Sequence, residues 1–241
     1  MKNILYILPL SMFLFSNVMN AQSFYMEKGF NTISTVNYSN TDVVFESSET
    51  VMMPQLSSEI GLRYPYSEKV ILSMGLTNNA FSYANEIHFP LDASADEVLE
   101  VNSSFDLAYL GANIGCDYSI VETIDWTLFV SGKISGNILT SGSRTDEVTN
   151  AAPSILPSSN TDLMHDSSFN KRCFNLHYGL AFSYQLSNLA SVCSRYTINN
   201  TLRKSKTDTE KYSFNSHTFS VGLILHLGKQ DYLKEDNRIK Q

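Results

Sequence analysis

The stretch that decides the fold lies near the end of the chain, where residues 218–227 read TFSVGLILHL. Every second side chain is apolar, and the side chains between them are mostly small or polar. The apolar set is Phe219, Val221, Leu223, Leu225 and Leu227, and the opposite set contains Thr218, Ser220, Gly222 and His226. A repeat of two is the signature of a β-strand, because successive side chains point to opposite faces. The stretch therefore predicts a strand with one apolar and one polar face.

Similar alternation occurs in eight segments along the chain, and this stretch belongs to the last of them. The first segment has the weakest pattern, because Thr32 and Ser34 interrupt its apolar face. Most of the segments are long enough to cross a bilayer when tilted, which takes about 9–11 residues. The predicted strands are residues 30–38, 55–64, 70–80, 105–118, 126–136, 174–184, 190–201 and 217–227.

The connections between these strands alternate in length. Short turns are predicted at residues 65–69, 119–125 and 185–189, and long polar loops at residues 39–54, 81–104, 137–173 and 202–216. Outer-membrane barrels have short turns in the periplasm and long loops outside the cell. An even number of strands then puts both chain ends on the periplasmic side. The third long loop contains Pro153 and Pro157 among many small polar residues, and we expect it to be mobile rather than a folded domain.

The first residues of the chain have the pattern of an export signal. Lys2 precedes an apolar stretch over residues 4–18, and Ala21 supplies a small residue at the expected cleavage point. A retained transmembrane helix needs about 20 apolar residues, and this stretch is shorter and interrupted. We therefore predict a signal peptide at residues 1–21, a barrel at residues 22–228 and a polar periplasmic tail at residues 229–241.

The charge balance disfavours one class of partner. The chain has 17 basic and 24 acidic residues, a formal net charge of −7. Nucleic-acid binding needs clustered cations against phosphate, so this balance disfavours it. After the signal, no apolar run approaches the length of a spanning helix. A membrane protein with this sequence must be a closed barrel, since only helices and closed barrels satisfy every backbone polar group in lipid.

The polar faces of the strands bear on whether the apolar faces meet lipid or a core. They consist mostly of Gly, Ser, Thr, Asn and Ala, which suit the narrow interior of an eight-stranded barrel. The alternative is a soluble barrel with the apolar face turned inward. Aromatic residues in two bands favour the membrane interpretation, because such girdles lie at the two interfaces. The turn-side band is Tyr64, Tyr66, Tyr118, Trp126 and Tyr184, and the loop-side band is Tyr38, Phe81, Tyr83, Phe105, Phe174 and Phe214.

Charged residues within the strands are few, and their positions in the period-two alternation put them on the predicted inner face. They are Glu59, Arg63, Asp117, Lys133 and Arg195. Buried charges must be paired, so one hypothesis is that the two acids neutralise the three bases across the lumen and plug it. In the alternative, the five residues are separately solvated near the rims.

No pattern of catalytic, cofactor-binding or metal-binding residues rises above chance, so we expect neither a cofactor nor a metal. Cys116, Cys173 and Cys193 lack metal-ligand spacing, and their predicted positions bring no pair together for a disulfide. We expect them to serve in packing. A cluster of loop acids could bind a divalent cation weakly, although a solvated surface is the simpler interpretation: Asp92, Asp96, Glu97 and Glu100.

A lipid-modifying enzyme would need a serine, a histidine base and an acid close together. His217 is the one histidine that parity places outward near the outer rim, and no nucleophile motif accompanies it. His165 and Ser167 have suitable spacing but lie in the long third loop. His177 and His226 are predicted to fill the lumen.

These features together resemble the small outer-membrane β-barrel family, the OmpA-like, OmpX-like and PorT-like proteins. The resemblance covers residues 30–227 and rests on the signal ending Asn20-Ala21-Gln22, the eight strands and the closing alternation. It implies an outer-membrane location and a role as anchor, adhesin, narrow pore, secretion component or lipid-modifying enzyme, so it does not specify one function. Members typically end the last strand on an aromatic residue, whereas here Leu227 and Gly228 close it and a polar tail follows.

From these observations we predict an eight-stranded antiparallel up-and-down transmembrane barrel that is not an enzyme and that anchors long surface loops for binding or adhesion. The alternatives are a narrow porin-like channel, an outer-leaflet lipid-modifying enzyme and a soluble barrel that holds an apolar ligand. The expected partners are outer-membrane lipid and an extracellular or cell-envelope protein, with the chain itself a monomer and no nucleic acid bound.

Overall fold

The computed structural model describes residues 23–40, 50–90, 98–148, 158–166, 169, 171–201 and 210–227, and the regular elements in those ranges are all β-strands. The predicted signal peptide, the polar tail, and the acids Asp92, Asp96 and Glu97 lie outside the described residues. The strands are β1 (Ser23–Asn40), β2 (Thr50–Met53), β3 (Gln55–Pro65), β4 (Val70–Pro90), β5 (Val98–Glu122), β6 (Trp126–Val148), β7 (Ser159–Asp162), β8 (Arg172–Gln185), β9 (Ala190–Thr201) and β10 (Glu210–His226).

Antiparallel pairing closes eight of these strands into a barrel. Around the ring the order is β1, β3, β4, β5, β6, β8, β9 and β10, and β10 pairs with β1 from Ser23↔His226 to Asn40↔Glu210. The predicted eight-stranded antiparallel up-and-down barrel is confirmed. Closure leaves the ring with no unpaired sheet edge.

The two remaining strands are short additions at the loop side of the barrel. β2 pairs with β4 and precedes β3, and Pro54 separates β2 from β3. Proline has no N–H to donate to the sheet, which explains the break. β7 pairs with β6 from Ser143↔Asp162 to Asp146↔Ser159.

Several strands continue into segments that the sequence predicted as loops. β4 and β5 stay paired to Pro90↔Val98, and β5 and β6 to Val101↔Val148. The predicted loop boundaries at residues 81–104 and 137–173 were therefore wrong. Beyond the apolar band the alternation is inverted, because apolar residues such as Phe81, Tyr83 and Phe105 face inward and the outer side is polar. The pattern that marks a spanning segment therefore ends there, although the hydrogen bonding continues. At the other end the connections are residues 66–69, 123–125 and 186–189.

Large apolar side chains cover the outside of the barrel. Ile114 is 65% exposed, Leu76 56% and Phe219 52%, whereas the inward-facing Asp117 and Ser131 are 0% and 1% exposed. We call this surface the apolar band. It begins at the short turns and ends on the loop side at Phe30, Leu56, Leu76, Leu110, Ile138, Phe174, Ile198 and Phe219.

The apolar band decides between the two interpretations of the sequence. An exterior this apolar and a polar interior are the inverse of a soluble barrel and are typical of a barrel that spans a membrane. The soluble alternative is therefore wrong. Separately, no helix in the described ranges is long and apolar enough to cross a membrane.

The two predicted aromatic bands differ in their outcome. Near the turns, Tyr64, Tyr118 and Tyr184 are exposed at 45–47% on the outside of the barrel. The loop-side band was wrong for three residues that are buried inside the barrel: Phe81, Tyr83 and Phe105. Their odd positions continue the inner faces of β4 and β5. Phe174 faces outward as predicted, and the side chains of Tyr38 and Phe214 lie outside the described set.

Candidate functional site

The lumen is the candidate functional site, because polar and charged side chains from all eight strands of the ring converge there. Near the short turns, His226 lies between two serine hydroxyls, with Nδ1 3.1 Å from Ser23 Oγ and Nε2 2.8 Å from Ser191 Oγ. Beside it Ile224, 2% exposed, packs with Tyr25 and Cys193. Ile224 is an apolar exception on the inner face of the last strand.

Arg195 is at the centre of the charged layer. Its Nη1 and Nη2 donate to the two carboxylate oxygens of Asp117 at 2.9 and 3.2 Å, a bidentate pair. Its Nε lies 3.3 Å from both carboxylate oxygens of Glu27, and Nη1 also donates to Ser131 Oγ. Ser220 donates a further hydrogen bond of 2.8 Å to Glu27. This one guanidinium thus links β9 to β1 through Glu27, to β5 through Asp117 and to β6 through Ser131.

Two further cations complete this layer. Arg63 Nη2 donates to Asp117 Oδ2 at 3.0 Å, and its guanidinium lies 5.5 Å from the centre of the Phe129 ring. Lys133 Nζ donates to Glu59 Oε1 at 2.6 Å. The Tyr25 hydroxyl donates to the same oxygen.

We call these six residues the charge network: Glu27, Glu59, Arg63, Asp117, Lys133 and Arg195. The structure brings together all five residues that the sequence placed on the inner face, and it adds Glu27. The three acids balance the three bases, which is what a low-dielectric interior requires.

Glu27 was missed because the first strand was predicted to begin at Phe30, whereas β1 begins at Ser23. The sequence did contain a signal for Glu27: in the alternating pattern it comes directly after the outward-facing Met26, so its side chain falls on the inner face.

Inward-facing glycines make room for the largest members of this layer. A Cβ built on Gly75 would lie 2.6 Å from the Tyr25 hydroxyl, and one on Gly222 would lie 2.7 Å from Glu27 Cγ. Real Cβ atoms do not approach so closely. The small polar face seen in the sequence is therefore the complement of a few large side chains on nearby strands.

Next to the charge network on the loop side is a chain of uncharged hydrogen bonds that we call the hydroxyl–amide ring. On one side of the lumen, Thr77 donates to Asn137, Asn137 Nδ2 donates to Ser135 at 2.9 Å, and Ser135 Oγ lies 2.6 Å from His177 Nε2. The Nδ1 atom of His177 bonds to the amide oxygen of Asn199. Because that oxygen can only accept, Nδ1 carries the proton in this arrangement.

On the other side of the lumen, the hydroxyl–amide ring continues back towards β4. Asn199 Nδ2 donates to Thr218 at 2.8 Å, Thr218 donates to Asn31, and Asn31 donates to Asn79 at 3.3 Å. The ring begins and ends on β4, at Thr77 and Asn79, after passing through β6, β8, β9, β10 and β1.

A cavity of about 50 Å³ lies against both layers, with Lys133, His177 and Asn113 among the residues that line it. A volume of this size holds roughly two or three water molecules and is far smaller than an aqueous channel.

Apolar side chains fill the loop-side mouth of the lumen. We call this group the apolar cap, and it consists of Ile33, Phe81, Tyr83, Phe105, Leu107, Tyr109, Leu139, Leu163 and Cys173, with Met164 and Phe169 packed against it. Leu163, 1% exposed, comes from the turn after β7 rather than from the barrel wall. Its backbone N–H donates to the carbonyl of Gly142 at 3.0 Å.

One ion pair and one contact between a histidine and an acid lie outside the membrane near the cap. Arg144 Nε donates to Asp146 Oδ1 at 2.7 Å. In the turn after β7, His165 Nδ1 lies 2.7 Å from Asp162 Oδ2. This contact, together with the backbone N–H of Met164, lowers the pKa of the Asp162 carboxyl.

Among the described residues, the other sequence candidates form no catalytic or metal site, and Ser167 lies outside that part of the chain. His217 Nδ1 lies 2.7 Å from the Tyr196 hydroxyl on the outer face, an arrangement without a serine nucleophile. The residues that the structure describes contain no group of three or more side chains that could hold a metal ion. Cys116 is exposed, Cys173 and Cys193 are buried, and all three are free thiols.

Known proteins give little further guidance. No protein-family model matches the chain, and no curated protein matches it. Similar solved structures include neisserial surface protein A, at 14% identity and a TM-score of 0.42 over 85% of this chain and 97% of that one. The outer membrane protein OprG of Pseudomonas aeruginosa is 11% identical with a TM-score of 0.41, over 86% and 96% of the two chains.

A third similar structure is the outer membrane protease OmpT of Escherichia coli, at 7% identity and a TM-score of 0.43 over 86% of this chain and 97% of that one. With TM-scores below 0.5, these likenesses carry no inference about function. This chain's own strand pairing establishes the barrel, and its own side-chain contacts establish the filled lumen.

Proposed function

We propose that this chain is a non-enzymatic integral protein of the bacterial outer membrane, whose closed barrel anchors surface loops for binding or adhesion. The observation that carries the proposal is the filled lumen. The charge network crosses it within the membrane, and the apolar cap fills its mouth. A lumen filled in this way makes the barrel rigid, and the described residues leave solutes no continuous aqueous path through it.

The barrel wall beyond the membrane supports the loop-presenting role. On β4 the apolar band ends at Leu76, yet the strand continues to Pro90 and stays paired with β5. β6 continues to Val148 and carries β7 on its other edge. This paired extension places the ends of β4, β5 and β6 beyond the apolar band.

The outer-membrane location follows from two features of different origin. The apolar band needs a bilayer, and closed barrels with short turns at one end are the spanning structures of outer membranes. The predicted signal peptide, with cleavage near Ala21, supplies the route of export. Membrane fractionation of the expressed full chain tests the location, and recovery in the soluble fraction would contradict it.

Planar-bilayer recording separates the closed anchor from a narrow porin-like channel. The wild-type barrel is expected to give no steady current, because no aqueous path crosses the charge network. Steady currents that vanish in Lys133→Ala would refute closure, since they would show that ions pass this layer.

Loop replacement tests the binding role. Residues 91–97 and 149–157 are replaced separately by short Gly-Ser connections, and adhesion of cells that display the protein is measured. We expect at least one replacement to abolish adhesion while the heat-dependent gel shift of the folded barrel is retained. Unchanged adhesion in both would contradict presentation by these two segments.

A separate experiment tests the alternative of a lipid-modifying enzyme. Analysis of outer-membrane lipids after His217→Ala is expected to show no change.

A further inference from the structure

Three adjacent strands carry polar side chains on the outside of the barrel, where the surrounding surface is apolar. Lys28 on β1 is the direct partner of Ser58 on β3, and Ser58 is the direct partner of Asn78 on β4. Lys28 and Asn78 are exposed and Ser58 is half-exposed. We call these three residues the outer polar row.

The outer polar row lies at the edge of the apolar band and partly within it. Met26 and Phe30, which flank Lys28 on the same face, are 54% and 55% exposed. On β4, Asn78 follows Leu76, the last large apolar residue of the band on that strand. Among the described residues of the band, Lys28 is the only one with a charged side chain.

A lysine in this position needs a physical reason. A charge on the lipid-facing side of a barrel is unfavourable to a degree that rises with depth, so ionisable residues there mark sites of function. The long stem of Lys28 allows its ammonium to extend along the barrel surface towards the loop-side interface. At that interface an anionic group can neutralise it.

The chemistry of the three side chains specifies the anion. An ammonium, a hydroxyl and an amide NH₂ all donate hydrogen bonds, and adjacent strands lie about 4.8 Å apart, so the donors lie side by side. Phosphate oxygens accept several such bonds at once, with strong charge-assisted contacts to a cation. A second copy of the chain related by two-fold symmetry would instead bring one Lys28 near another, which like-charge repulsion disfavours.

We propose that the outer polar row binds the phosphate of a lipid headgroup in the loop-side leaflet of the membrane. Lys28 supplies the charge, and Ser58 and Asn78 supply neutral donors that orient the headgroup. The acyl chains of that lipid then lie along the neighbouring apolar side chains Met26, Ile60 and Leu76. The proposal rests on the membrane placement in the proposed function and is independent of whether the lumen conducts.

Native mass spectrometry of the full chain, folded in detergent, tests the proposal. The probe lipids are phosphatidylglycerol and a diacylglycerol with the same acyl chains but no phosphate. The wild type is expected to retain phosphatidylglycerol in preference to diacylglycerol, and Lys28→Met is expected to lower that retention several-fold. Lys69→Met, which removes an exposed lysine at the opposite end of the barrel, is the matched control and is expected to change nothing.

A second variant keeps the test independent of folding defects. Asn78→Leu removes one neutral donor and is expected to reduce phosphatidylglycerol retention less than Lys28→Met does. Each variant is first shown to be folded by its heat-dependent gel shift. If Lys28→Met does not fold, Lys28→Gln takes its place.

Two results would overturn the proposal. One is equal retention of the two lipids by the wild type, and the other is unchanged retention in the folded variant without the lysine charge. Neither bears on closure of the lumen. Conversely, a conducting wild type that binds phosphatidylglycerol through Lys28 would refute the closed lumen and support the outer polar row.

Discussion

Arg195 shows why single residues in this lumen matter. Its guanidinium contacts Asp117 and Glu27 from one buried position, 7% exposed, and both of these carboxylates are buried as well. A buried ion pair contributes little beyond an apolar pair of the same size, but removal of one partner leaves a buried charge unpaired. The charge network is therefore a set of mutually dependent residues.

Replacement of Arg195 by Met is expected to destabilise the barrel by about 3–5 kcal/mol, because Asp117 and Glu27 then lack their shared cation. Urea unfolding in detergent or lipid vesicles, followed by tryptophan fluorescence of Trp126, measures the change. Lys69→Met is the surface control and is expected to stay within about 0.5 kcal/mol of the wild type. A loss below about 1 kcal/mol in Arg195→Met would show that the buried pairs are not mutually dependent.

The three thiols are expected to differ in reactivity. Cys116 is exposed on the outer face, whereas Cys173 and Cys193 are 8% and 4% exposed. A membrane-permeant maleimide should therefore modify the folded barrel at Cys116 alone and modify all three after boiling in SDS. Peptide mass spectrometry identifies the sites. Early modification of Cys193 would show that the lumen opens to reagents, and Cys116→Ser is the matched control.

At the scale of elements, β7 and the turn that follows it form a closure unit. β7 is held to β6 by four residue pairs, and the turn inserts Leu163 among the inward-facing aromatic residues of β4 and β5. Tyr83 and Phe105 stack with their ring centres 4.8 Å apart. The packing of one leucine thus couples a short strand to the mouth of the barrel.

Leu163→Ala is expected to destabilise the barrel by about 2–5 kcal/mol, because it removes a buried side chain and leaves a cavity in the apolar cap. The same unfolding assay measures the loss. Asn160→Ala, at an exposed position of β7, is the control and is expected to have little effect. If Leu163→Ala matches that control, the turn does not seal the mouth.

The contact between Asp162 and His165 predicts a pH dependence in this turn. The pKa of Asp162 is lower in the folded protein than in the unfolded chain. Its contribution to stability is therefore present above the unfolded pKa of about 3.9 and is lost as the pH falls through the folded pKa. NMR titration of the Asp162 carboxyl is expected to show a higher pKa in His165→Gln than in the wild type. Equal values would mean that the histidine does not affect the carboxyl.

At the scale of the whole molecule, closure makes unfolding cooperative. Every strand of the ring has two hydrogen-bonded neighbours, so no strand can leave without breaking two sets of pairs. We expect the purified protein to stay folded in SDS at room temperature and to change its gel mobility on boiling. Replacement of residues 217–227 by Gly-Ser sequence removes the membrane part of the seam between β1 and β10 and should abolish the shift. A shift that persisted would contradict closure through this seam.

The sequence alone was sufficient for the architecture and for parts of the lumen. Lipid outside and a narrow polar interior impose alternation on every spanning residue, so residues 55–64, 174–184 and 190–201 were predicted to within about two residues of β3, β8 and β9. Inward parity also placed Glu59, Arg63, Asp117, Lys133 and Arg195 on one face, because parity is a local property of each strand.

Only the tertiary structure decided which of these side chains meet. The pairs Arg195–Asp117 and Lys133–Glu59 join residues 78 and 74 positions apart in the chain, and such contacts depend on the register of every intervening strand. The paired wall outside the membrane was not predictable for a related reason. Its alternation has the opposite phase to that of the spanning segments, because its apolar side chains face inward. These side chains became recognisable as a cap only when the strands closed around them. The role proposed for Lys28 likewise depends on strand pairing, which places it beside Ser58 and Asn78 on a surface that faces lipid.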